Sequence, residues 1–93
     1  VENHSFRISA DFEGPLVFLH LVVKQFSKDI YKIGKRGFWP YVLRQLAKRG
    51  YTEVYATPYE NDLRAQKLIR SFGFHERGVS NGLMVMNRRI ENG

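Results

Sequence analysis

Ala65, Leu68, Ile69 and Phe72 recur at helical spacing and leave Arg64, Lys67 and Arg70 on the opposite side. The segment 61–74 is therefore predicted to form an amphipathic helix that buries one stripe against a sheet. Its ends are marked. Asn61 or Asp62 can accept hydrogen bonds from the free amides of the first turn, and Gly73 supplies the left-handed residue through which a chain leaves a helix. Ser5 to Glu13 instead alternates, with Phe6, Ile8, Ala10 and Phe12 on one face and Arg7, Ser9 and Asp11 on the other, as a half-exposed strand does. After a Gly14-Pro15 turn, Leu16 to Val23 is almost continuously apolar, which predicts a central strand covered on both faces, with His20 as a hydrogen-bonded core imidazole.

Lys24 to Arg49 reads as helix, with Phe26, Ile30, Ile33, Trp39, Val42, Leu43 and Leu46 at helical spacing and Ser27 as a cap. Gly34, Gly37 and Pro40 interrupt it, so we expect one kinked helix or a short basic turn followed by a helix from about Trp39. Gly50 ends that helix. Tyr51 to Thr57 is the next strand, and Pro58 to Glu60 leads into the amphipathic helix. Phe74 to Val79 and Leu83 to Arg89 then form a hairpin around Ser80-Asn81-Gly82, whose Asn-Gly dipeptide is a strong two-residue turn signal. The order strand, strand, helix, strand, helix, strand, strand predicts a single α/β domain of helices packed on a sheet.

Positive charge is concentrated in one segment. The 93 residues carry 15 Lys and Arg against 9 Asp and Glu, a net charge of +6, which favours polyanionic or phosphate-rich partners. Between Lys24 and Arg49 lie eight Lys and Arg (Lys24, Lys28, Lys32, Lys35, Arg36, Arg44, Lys48 and Arg49) against Asp29 alone, a surplus of seven. There is no cysteine, so disulfides and thiolate metal sites are excluded and a reducing compartment is expected. The longest apolar run, Pro15 to Val23, is too short to span a membrane. Opening on Val1 rather than Met, the chain is expected to have a processed or trimmed N-terminus.

The segment from Asp62 to Phe74 also resembles the late motif of the GNAT superfamily of acyl-coenzyme A-dependent N-acetyltransferases, Asn-x-x-Ala-x-x-Leu-Tyr-x-x-x-Gly-Phe. Asp62 stands at the Asn position, Ala65, Leu68, Gly73 and Phe74 are in register, and Ile69 occupies the Tyr position. The order of elements is similar to the C-terminal two thirds of the GNAT fold, without its first strand and the two helices that follow it. The resemblance implies a GNAT-like mixed sheet with packed helices and an acetyl-coenzyme A (acetyl-CoA) site formed by Leu21, Val22 and Val23 of the splayed central strand, by Gly34 and by Asn61. Asp29-Ile30-Tyr31-Lys32-Ile33-Gly34 aligns with the family's phosphate loop and agrees only at Gly34. In the family the tyrosine commonly protonates the departing thiolate; isoleucine cannot.

Two functions are implied by the resemblance. One is transfer of an acetyl group from acetyl-CoA to an amine acceptor. The other is a non-catalytic GNAT-like scaffold, similar to divergent proteins of bacteriophages, that uses its basic helix to bind nucleic acid or a virion protein. The expected location is cytoplasmic, or a virion if the protein is of phage origin. No Walker loop, paired-glycine fingerprint or His-x-x-x-His pair is present. His75 and Glu76 are expected on a strand, one inward and one outward, and imply no metal. The tyrosines Tyr31, Tyr41, Tyr51, Tyr55 and Tyr59 include candidate proton donors, but no catalytic residue is assigned.

Overall fold

The computed structural model describes residues 6–23 and 39–90. Within them the order is β1 (Phe6–Glu13), β2 (Leu16–Val23), α1 (Trp39–Lys48), β3 (Glu53–Ala56), α2 (Leu63–Ser71), β4 (His75–Ser80) and β5 (Leu83–Arg89). The strands form one mixed sheet in the order β1-β2-β3-β5-β4. β2 and β3 run parallel, as a strand-helix-strand connection requires, and the other neighbours are antiparallel. The expected segment from Lys24 through Ser27, Phe26, Ile30, Ile33 and Gly34 to Arg36 lies outside the described residues. The helical expectation from about Trp39 agrees with α1, which is described from Trp39 and includes Pro40.

Turn chemistry fixes both hairpins. Asn81 (φ 52°) and Gly82 (φ 78°) are both left-handed, the pair a type I′ turn needs, and Ser80 then faces Leu83. Gly14 (φ 60°) followed by Pro15 suits a type II′ turn and sets Glu13 opposite Leu16.

Both described helices pack on the same sheet face. Ile8, Val17, Leu19, Val54, Ala56 and Met86 from the strands meet Trp39 and Leu46 of α1 and Leu68 and Ile69 of α2 in one core. Trp39 stacks on Phe72 with ring centroids 5.1 Å apart, lies 5.4 Å from Phe74, and donates its indole N–H to the Phe72 carbonyl at 3.1 Å. That carbonyl is one of the acceptors a helix end leaves without an internal partner. Arg88 of β5 donates to the same oxygen and lies over the Trp39 ring. Gly73 has φ +90°, a conformation that favours glycine, and a Cβ there would come within 2.9 Å of the Arg88 guanidinium and displace it.

One-sided packing corrects the expectation that β2 is covered on both faces. Val17 and Leu19 are buried, whereas Val22 is 55% exposed and Leu16 and His20 are exposed with it. β3, not β2, is the middle strand, although β2 is interior. His20 is likewise no core imidazole; its Nε2 lies 2.6 Å from the Asp11 carboxylate on the open face. β4 is exposed throughout and forms a sheet edge, broken by a bulge between Glu76 and Gly78, a device that discourages pairing with other chains. His75 and Glu76 lie on this strand as expected, but both are exposed and neither is inward. Glu76 pairs with Arg70 of α2, and His75 faces Asn87 in register.

Leu68 is 1% exposed in the centre of the core. Leu68→Ala should destabilise by about 2 to 5 kcal/mol, the range for buried leucine truncations, whereas Lys67→Ala on the exposed side should stay within about 0.5 kcal/mol. Chemical denaturation of both variants checks this, and equal losses would mean that the buried stripe of α2 has been misassigned.

Candidate functional site

β2 and β3 pair only through Phe18 with Tyr55 and Leu19 with Ala56. Beyond that point they part, and the cause lies in the course of the chain after β3. Residues 57–60 continue along β5 instead of β2: Met84 N–H donates to the Pro58 carbonyl at 2.8 Å, Tyr59 bridges Leu83, and Glu60 N–H donates to the Gly82 carbonyl at 2.9 Å. Pro58 has no N–H with which to extend a ladder toward β2. A cleft of about 460 Å³ opens between the two strands, walled by Leu19 to Val22 on one side and Thr57 to Tyr59 on the other. Ala65 and Ile69 of α2 form part of its lining.

Two contacts hold the loop over the start of α2. Asp62 is the N-cap, its carboxylate accepting from the Ala65 amide at 3.1 Å, which satisfies one of the free first-turn donors. Gln66, only 2% exposed, donates through one amide nitrogen to the carbonyls of Tyr59 (2.9 Å) and Glu60 (2.8 Å). The Tyr59 carbonyl also accepts from the Asp62 N–H at 3.0 Å, so a side chain one turn into the helix and the capping residue together fix the loop, and the buried amide group of Gln66 finds its partners there. The sequence stripe gives no warning of this role, because Gln66 is polar yet buried beside Ala65.

The expected site residues are distributed unevenly around this cleft. Leu21 and Val22 line it. Val23 ends β2, and its side chain lies outside the described residues. Asn61 is exposed, and Asp62, the next residue, takes both the capping role and a place in the wall. Gly34 lies outside the described residues. Ile69, at the position of the family tyrosine, presents an alkyl side chain to the cleft. His20 and Tyr59, neither expected there, also line it. The alternation of β2 could have placed His20 on the open face, but only the parting of β2 from β3 brings it to a cleft wall.

No protein-family model matches the chain, and no curated protein does. The fold is similar to the crystal structure of a domain from Methanocaldococcus jannaschii DSM 2661, with a TM-score of 0.64 and 22% identity over 81% of this chain and 49% of that one. The chain thus spans about half the length of that domain. At this identity the likeness is one of fold. Among the described residues no helix is long and apolar enough to cross a membrane.

Gln66→Leu keeps the side-chain bulk but removes the donor to two carbonyls. It should destabilise the domain by about 0.5 to 1.5 kcal/mol, the net contribution of an ordinary hydrogen bond. Amide hydrogen exchange in residues 59–62 should accelerate more than in β5; uniform acceleration across both would show that Gln66 does not specifically pin the loop.

Proposed function

We propose that the chain is a GNAT-like domain that binds acetyl-CoA in the cleft between β2 and β3 and presents its acetyl group to an amine. The observation that carries this reading is the early parting of two parallel strands. In an interior strand whose neighbour has turned away, alternate backbone groups of His20, Leu21 and Val22 face the cleft with no ladder partner from β3. An extended ligand bearing amides can pair with such an edge as an added strand would, and the amide-rich pantetheine arm of acetyl-CoA has that character. The late-motif residues Asp62, Ala65, Leu68, Gly73 and Phe74 and the parallel pairing of β2 with β3 support this reading. The segment aligned with the phosphate loop lies outside the described residues, so the reading rests on the arm's half of the site.

Bound acetyl-CoA would supply a thioester whose carbonyl carbon an amine can attack directly. The chain's own contribution is positional. The β2 edge orients the ligand, the loop pinned by Gln66 shapes the opposite wall, and backbone N–H groups aimed at the carbonyl oxygen would stabilise the charge that develops there. Ile69 has no proton to give, so proton transfer at the cleft falls to the other side chains lining it, His20 and Tyr59 among them.

The same isoleucine favours a second reading, a scaffold that binds without turnover and uses its basic segment toward nucleic acid or a virion protein. Calorimetry separates the two. Acetyl-CoA should give a saturable signal, weakened about tenfold or more by Thr57→Trp, which fills one cleft wall, a loss of about 1.4 kcal/mol or more in binding. No heat at millimolar acetyl-CoA would overturn the cofactor reading. The nucleic-acid form of the scaffold reading then requires binding to duplex DNA whose log-log salt slope steepens by about 0.9 for each phosphate neutralised.

A further inference from the structure

A second recess, of about 350 Å³, opens at the opposite end of β3 from the cleft, where β3 and β4 begin and β5 ends. Its lining includes three arginines, Arg77, Arg88 and Arg89, with His75, Asn87 and Glu53. We propose that this recess binds the phosphomonoester group of a small ligand, with Arg77 as the principal contact.

The β4 bulge decides how Arg77 is held. It is the residue left unopposed there, since Glu76 faces Met86 and Gly78 already faces Val85. Bulges of this kind re-aim a side chain. Here the side chain turns onto Asn87, donating from Nε to Oδ1 at 2.6 Å. Asn87 is itself only 5% exposed, and its amide nitrogen donates to Glu53 at 2.7 Å, while the other Glu53 oxygen accepts from the Tyr55 hydroxyl at 3.2 Å. A buried amide therefore stands between the guanidinium and the carboxylate. Direct pairing would have consumed the arginine fork; the relay fixes its plane through one N–H and leaves the two terminal nitrogens without a hydrogen bond among the described residues.

The rest of the lining narrows the ligand. Arg88 is engaged by the Phe72 carbonyl and by Trp39, so it contributes charge but little reach. The Arg89 side chain has no hydrogen bond or ion pair among the described residues, although it faces Glu53 in register. Glu53 already accepts from two donors, which tempers the repulsion it would exert on an anion. A single carboxylate would be satisfied by one arginine fork. A second available guanidinium in the same recess suits a dianion with three free oxygens, that is, a terminal phosphate. The charges gather in one concavity beside a carboxylate rather than along a stripe, which suits a compact ligand better than a polymer backbone.

The test is a nuclear magnetic resonance titration that follows the Asn87 side-chain amide and the Arg77 Nε–H. Inorganic phosphate and then ribose 5-phosphate should shift both saturably. Arg77→Gln should weaken binding, followed at the Asn87 amide, about tenfold or more, as expected for lost charge-assisted hydrogen bonds. Arg89→Gln should weaken it less, and Lys67→Gln, an equal charge loss elsewhere, should leave it unchanged. Arg77 and Arg89 are both exposed, so their variants should fold, which circular dichroism verifies. Absence of a saturable shift, equal weakening by all three variants, or shifts produced only by single-stranded DNA would overturn the proposal.

Discussion

The carbonyl of Phe72 is the point on which the described domain turns. It ends α2, accepts from the indole of Trp39 and from the guanidinium of Arg88, and its own ring stacks on that indole. One residue thereby ties the start of α1, the end of α2 and the end of β5. A helix terminus buried in a core carries acceptors that cannot be left unpaired, and two donors from different elements resolve that need while fixing where those elements sit. The demand reaches into the following residue as well. Gly73 is left-handed, and a Cβ there would press on the Arg88 guanidinium that passes against it.

With both described helices drawn to one face by this junction, the sheet becomes asymmetric. The helix side is an apolar core, and the other face carries a graded row of side chains: Asp11, Phe18, Tyr55, Asn87 and His75 lie in register across all five strands. Phe18 and Tyr55 are in ring contact at 5.5 Å, Asp11 pairs with His20, and Tyr55 and Asn87 join through Glu53. Aromatic and hydrogen-bonded cross-strand pairs of this kind stabilise a face that no described helix covers.

The two concavities occupy opposite ends of the middle strand, and each arises where regular pairing stops. At the C-terminal end of β3 the chain leaves β2 and follows β5, opening the cleft. At the N-terminal end the β4 bulge frees one arginine from the alternation and turns it onto Asn87. In both places a buried side-chain amide, Gln66 or Asn87, takes the backbone or side-chain groups that the ladder no longer organises. Sheet irregularities with satisfied polar groups around them are stable features that can hold a ligand-facing geometry.

The sequence by itself determined the elements whose causes are local. The period of Ala65, Leu68, Ile69 and Phe72, a cap at Asn61 or Asp62, the glycine exit at Gly73 and the Asn81-Gly82 turn depend on residues within a few positions of one another, and each is where the pattern puts it, the cap falling to Asp62. Leu21 and Val22 are legible as cleft residues through the family likeness. Whether an apolar strand is covered on one face or two depends on where distant helices dock, so the pattern of β2 misleads and assigns His20 to a core it never enters. The length of the β2–β3 ladder, the pinning role of Gln66 and the relay from Tyr55 to Arg77 are equally hidden. Each joins residues far apart in the chain or depends on which neighbour a strand follows, and only tertiary packing brings those partners together.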